Sequence, residues 1–326
     1  MIKPLKNKSF IKKIHDNISY PPIKLAIYAI LIWSTQAVIL SKSYNNIDFS
    51  AILFPAFFFS STYLLIFKLI YSGRRKNQLI DIFNKKKVPL IGTFLVFGYH
   101  FFLYWGLQKG PQVETNLINF LWPLFFFIIA YFLFSKKNIK NEKRLSLNLS
   151  GYTIIKIIIG FVGVIILFSQ GQLRSLNFIE WNGPILGLGA AIFWAIFSVY
   201  LRMIGNTSHI TIFIFGTAVL CFVVWLFREA PPFWSISNLL VSLYMGIFPL
   251  GIAMQCWEKA LREDLIEEIS VLAFFAPFLS TIFLFLAGFG KLTWYTVVGG
   301  SMIVLSNMYY SGLKNRMSKI LNKSSK

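Results

Sequence analysis

The stretch NFLWPLFF (residues 119–126) decides how this chain is read. It lies inside an apolar run from Val113 to Phe134, and about 20 apolar residues suffice to cross a bilayer. Yet Asn119 brings an amide into that run, and Pro123 lacks the N–H that would bond the carbonyl four residues earlier. Both are tolerated at membrane depth where protein or water replaces lipid. The stretch therefore predicts a broken membrane helix with one side on a cavity.

Working outward, similar apolar runs fill the chain. It is 56% hydrophobic and 13% charged, against about 25% charged in soluble domains. The lengths predict ten spans, at about 24–42, 49–72, 88–107, 113–134, 150–169, 183–204, 208–227, 237–257, 267–288 and 292–312. So many apolar segments cannot all be the core of a soluble fold, and the expected class is an all-α polytopic membrane protein.

The net charge of +20 would suggest nucleic acid if read alone. Its distribution instead follows the rule that basic residues stay on the cytoplasmic side. With the N-terminus inside, the basic runs fall before the first span, in GRRKNQLIDIFNKKK (residues 73–87), in SKKNIKNEKR (135–144) and in the tail. The outer segments hold Lys42, Lys109, Arg174, Arg228 and Lys291. Both termini are thus expected in the cytoplasm and no nucleic-acid partner is expected. Lys68 and Lys156, near cytoplasmic helix ends, are expected to snorkel. The N-terminus carries no small-residue cleavage site and reads as an uncleaved first helix. Cys221 and Cys256 fall at different depths, which argues against a disulfide.

Three landmarks recur five spans apart. AIYAILIWSTQAVIL (26–40) matches GLGAAIFWAIFSVYL (187–201), aligning Trp33 with Trp194. YWGLQKG (104–110) matches MQCWEKA (254–260), and NFLWPLFF matches AFFAPFLS (273–280), aligning Pro123 with Pro277. Three matches in one order favour a true repeat over chance resemblance. Five is odd, so the second half runs inverted, as in transporters that rock around a midplane site. The expected organisation is a basic N-terminal segment (1–23), a first five-helix repeat (24–170), an inverted second repeat (171–312) and a basic tail (313–326). The two prolines are expected to free the carbonyls of Asn119 and Ala273.

Helical spacing places Asn116, Asn119 and Pro123 on one face. At about 1.5 Å per residue, Tyr99 and His100 of the third span reach similar depth. Two readings of His100 stand together here: a donor to a neighbouring helix's carbonyl, or a cavity-facing ionisable group. The remaining candidates for a substrate site are Trp33 and Gln36, Trp122, Trp194 and Ser198, and Phe274 with Pro277. Gly183, Gly187, Ala191 and Ala195 recur every fourth residue, a face for close helix packing, and the pairs Gly160/Gly163 and Gly299/Gly300 are expected to act alike. No HExxH, Walker loop, CxxC or glycine-framed serine is present, so neither enzyme chemistry, a metal nor a cofactor is expected. The acidic group Glu258, Glu263, Asp264, Glu267 and Glu268 reads as a solvated helix end.

Taken together, Trp33, the two mid-span prolines and the ten-span repeat resemble the EamA branch of the drug/metabolite transporter superfamily, over about residues 24–312. LINFLWPLF (117–125) is similar to the Asn-x-x-Trp-Pro signature of inner-membrane aromatic amino acid exporters within it. The resemblance implies a central cavity, lined by spans one, three, four, six, eight and nine, through which small metabolites leave a bacterial cytoplasm. The chain departs from many members in LFSKKN and AGFGKLTW, where lysines stand in place of glutamates. Export of aromatic or other neutral amino acids is the expected activity, by a monomer or weak homodimer. Exchange of another metabolite, such as S-adenosylmethionine or a nucleotide sugar, and a non-transporting assembly or lipid-handling role are the alternatives.

Overall fold

The computed structural model describes residues 22–41, 49–71, 87–134, 151–173, 176, 181–204, 209–227, 235–261, 266–289 and 291–306. The basic runs expected at the N-terminus, in 74–86, in 135–144 and in the tail lie outside these, as do Glu263 and Asp264.

The regular elements among the described residues are all helical, with no strand among them. The helices are α1 (Pro22–Ser41), α2 (Phe49–Tyr71), α3 (Lys87–Lys109), α4 (Gln112–Asn119) and α5 (Trp122–Phe134). They continue with α6 (Gly151–Phe168), α7 (Asn182–Met203), α8 (Ile210–Leu226) and α9 (Ile236–Ile247). A π-helical turn (Phe248–Ala253) joins α9 to α10 (Met254–Leu261), and α11 (Ile266–Leu272), α12 (Phe275–Leu286) and α13 (Trp294–Ser306) follow. Among the described residues, seven segments are long and apolar enough to cross a membrane, and three shorter apolar helices accompany them. Leu69, Leu90, Phe132, Phe215 and Leu286 stand exposed on the outer faces, as helices bathed in hydrocarbon allow. The protein is a polytopic membrane protein.

The break in NFLWPLFF has a local cause. The Phe120 N–H donates to the Asn116 carbonyl (3.1 Å) and that of Leu121 to Ile118 (3.0 Å), closing α4 with a tightened turn. Pro123 then occupies the second position of α5, where an N–H would have no helical partner in any case. The second break is built alike, with Phe274 donating to Val271 (3.2 Å) and Pro277 in the first turn of α12. The Ala273 carbonyl, expected to be free, instead accepts the Ala276 N–H at 3.1 Å. Helix α11 simply ends before the proline, and a short-range turn takes up the carbonyl.

Two groups of helices form the body. In one, α3 packs along α7 and α8, and α4–α5 run along α7. In the other, α1 packs on α10 and α12, and α2 packs on α9. Helix α2 also contacts α8, joining the groups. The small-residue face of α7 allows the first group its closeness: a Cβ on Gly183 would lie 2.8 Å from the Gly110 Cα. On the flank, a Cβ on Gly163 of α6 would lie 2.7 Å from the Gly299 carbonyl oxygen of α13. Lys156, expected to snorkel, is 6% exposed and turned into the protein. Both cysteines are free.

Candidate substrate cavity

One end of the bundle is marked by Tyr200 donating to the Val88 carbonyl (3.2 Å) and by Lys68 lying close to Glu258. Since Lys68 and Val88 flank the basic stretch 74–87, this is the lysine-rich end. The opposite, lysine-poor end carries the close contact between Gly110 and Gly183. A cavity of about 480 Å³ runs from mid-depth toward the lysine-poor end, a volume typical of small-molecule sites.

Of the residues singled out in the sequence, Trp33, Gln36, Tyr99, His100, Asn116, Asn119, Trp122, Trp194 and Pro277 line this cavity. Pro123, Ser198 and Phe274 lie outside the lining. Pro123 is buried behind the turn it follows. Phe274 is fully buried and its ring fills the space beside Gly160. Ser198 is also fully buried and accepts the Trp257 indole N–H at 3.3 Å.

Tryptophans form the floor. Trp33 meets Trp194 edge-on at 5.5 Å between centroids, and Trp257 packs against both Trp33 (5.3 Å) and Trp122 (5.6 Å). The first and third are edge-to-face and the second is tilted, and aromatic pairs of this kind add about 0.5–1.5 kcal/mol each beyond simple burial. Trp257 is fully buried beneath the lining. Sequence reasoning overlooked it, although the match of YWGLQKG to MQCWEKA already pairs it with Leu107, a lining residue. The Trp33 indole donates to the Pro249 carbonyl at 3.2 Å, tying α1 to the π-helical turn. Thr35 and Tyr244 add a direct hydroxyl–hydroxyl contact between α1 and α9.

Polar atoms on the walls are mostly occupied by backbone. The His100 Nδ1 pairs with the Val96 carbonyl at 2.8 Å, and since a carbonyl only accepts, Nδ1 carries the hydrogen. The ring meets Phe57 edge-on at 4.9 Å and Tyr99 at 4.7 Å. His100 thus lines the cavity, but its carbonyl partner is one turn back on its own helix rather than on the neighbouring helix expected. Ser280 donates to the Ala276 carbonyl (2.8 Å) and Thr281 to that of Pro277 (3.0 Å), occupying carbonyls near the α12 break. Asn119 is different. It is 4% exposed, its side chain hydrogen-bonds with Tyr99, and its Oδ1 is buried with no hydrogen-bond partner. Among the described residues lining the cavity, none is Asp, Glu, Lys or Arg. The arrangement can hold an uncharged or zwitterionic solute against aromatic walls, with an acceptor atom to spare.

Comparison with known proteins adds the following. The model of the EamA-like transporter family matches twice, over residues 21–169 and 181–311. The aromatic amino acid exporter YddG of Ancylobacter novellus is 26% identical over 85% of this chain and 92% of its own. The uncharacterized transporter YyaM of Bacillus subtilis is 23% identical over 77% of this chain and 80% of its own. A solved crystal structure superposes with a TM-score of 0.78 at 23% identity, covering 91% of this chain and 98% of that one.

Proposed function

Because the chain belongs to the EamA-like transporter family, we propose that it moves neutral amino acids, aromatic ones among them, outward across a bacterial cytoplasmic membrane. That it is a multi-pass membrane transporter follows from the family. The substrate class is our reading of the cavity. The observation that carries it is the uncharged, tryptophan-floored chamber with the unpartnered Asn119 Oδ1 on its wall. An orphaned buried acceptor costs about 1–3 kcal/mol, and the ammonium group of an amino acid would offset that cost. Tyr99, His100, Trp122 and Trp194 then pack the side chain, with Trp33, Gln36 and Asn116 completing the wall.

The reading extends to architecture. Ten spans in two inverted five-helix repeats are supported by the two family matches, one per half, and by the paired helix breaks. Both termini are assigned to the cytoplasm, which makes the lysine-rich end the inner one. Substrate is taken up there and released at the lysine-poor end, by alternating access around the cavity. S-adenosylmethionine or a nucleotide sugar would require a counter-charge, and the lining offers none. A thermal-shift screen of the purified protein against the twenty amino acids and a few nucleotides tests the proposal. Phenylalanine, tryptophan and other neutral amino acids should raise the melting temperature. Stabilisation by nucleotides alone would overturn the proposed substrate class.

A further inference from the structure

Three hydrogen bonds that join the two groups of helices lie together at the lysine-rich end. Trp257 of α10 donates its indole N–H to Ser198 of α7 at 3.3 Å. At the next residue along α10, the Glu258 carboxylate accepts the backbone N–H of His209, at the start of α8, at 3.0 Å. The Arg202 guanidinium, at the end of α7, donates to the Leu261 carbonyl at the end of α10, at 3.3 Å. Trp257 and Glu258 are 0% and 1% exposed, so no water competes for these bonds. Lys68 of α2 lies close to Glu258. Each bond ties a helix of one group to a helix of the other, directly beneath the tryptophan floor.

We propose that these contacts are a latch that keeps the cavity shut at the lysine-rich end and must release before it can open there. The proposal rests on the alternating-access reading of this same cavity. The repeat makes the latch one-sided. In the register that aligns Trp33 with Trp194, Ser198 corresponds to Ala37, and in the register of YWGLQKG with MQCWEKA, Trp257 corresponds to Leu107. Ala37 and Leu107 both line the cavity, and neither side chain can form a hydrogen bond. Closure at the lysine-poor end therefore lacks the counterpart of the Trp257–Ser198 bond. The state open at the lysine-poor end is the resting one, and release of the latch is the step that admits substrate from the other side.

The test uses the full-length protein in oriented membrane vesicles, with Cys221→Ala and Cys256→Ala and a single reporter, Ala37→Cys. A membrane-impermeant charged methanethiosulfonate is applied from each face. The parent should react mainly from the lysine-poor face, with a slow residual rate from the other. In Trp257→Phe, which removes the N–H and keeps a ring, and in Glu258→Gln, reaction from the lysine-rich face should rise about fivefold, the population shift for one lost net hydrogen bond. A variant that does not elute as a folded species is replaced by Ser198→Ala, which removes a single oxygen. Reactivity from the lysine-rich face equal to the parent's in folded variants would overturn the latch. The readout needs no substrate. Shifted reactivity without any amino acid flux keeps the latch and refutes the transport reading, whereas flux with unshifted reactivity does the reverse.

Discussion

Asn119 is the residue on which the cavity's chemistry turns. A buried amide whose Oδ1 has no partner is costly to the fold, and such cost is tolerated where a ligand completes the bond. Replacing it by leucine, of similar size, removes the orphan. Asn119→Leu also removes the bond to Tyr99, and these two changes oppose each other. The melting temperature by differential scanning fluorimetry should therefore shift little, while transport of neutral amino acids falls about tenfold, the effect of losing one charge-assisted bond. A variant with normal flux would leave the amide with no role in binding. The other polar groups are read differently: Ser280 and Thr281 already bond to carbonyls of their own helix, and their substitution should change transport little. Most of this wall was legible in the sequence, because depth follows from counting residues along a helix. What counting cannot supply is the direction a side chain faces. Ser198 shares a helical face with Trp194, yet Trp257 intervenes between it and the cavity. Phe274 turns away at the α11–α12 break, toward Gly160.

At the scale of elements, the two broken helices and the π-helical turn shape the chamber. The prolines announced both breaks, and the structure ends α4 and α11 three or more residues before them, as the missing N–H and the ring's bulk require. The π-helical turn was not legible. Pro249 marks it, but an inserted residue rotates everything after it by about 100°, one residue's share of a turn. After the turn, Met254 lines the cavity and Trp257 lies buried beside it. The flank is tested by Gly163→Ala. A Cβ there would lie 2.7 Å from the Gly299 carbonyl and 2.9 Å from Ile303 Cγ1, so α6 and α13 must part. Overpacking of this kind costs about 1–3 kcal/mol. The melting temperature should fall, with the substrate specificity of the remaining folded protein unchanged.

For the whole molecule, the described cavity lies toward the lysine-poor end, and tryptophans with polar contacts between helix groups lie between it and the lysine-rich end. The uneven placing of basic residues along the chain was plain in the sequence, as were the three landmark matches between its halves. The difference between the two ends was not, because it depends on how Ser198 and Trp257 meet across a gap that no repeat of motifs describes. Removing a floor tryptophan should widen the chamber without opening a new side chemistry. Trp194→Ala should weaken binding of phenylalanine more than of alanine, measured by thermal shift, since the larger side chain loses more aromatic contact. The central claim is tested most directly by flux. Purified protein in liposomes loaded with unlabelled tryptophan is given labelled tryptophan outside, and accumulation is followed over time. The account predicts counterflow that unlabelled phenylalanine competes away and a charged nucleotide sugar does not. Liposomes that accumulate no more label than protein-free ones, with protein shown to be folded and inserted, would contradict it.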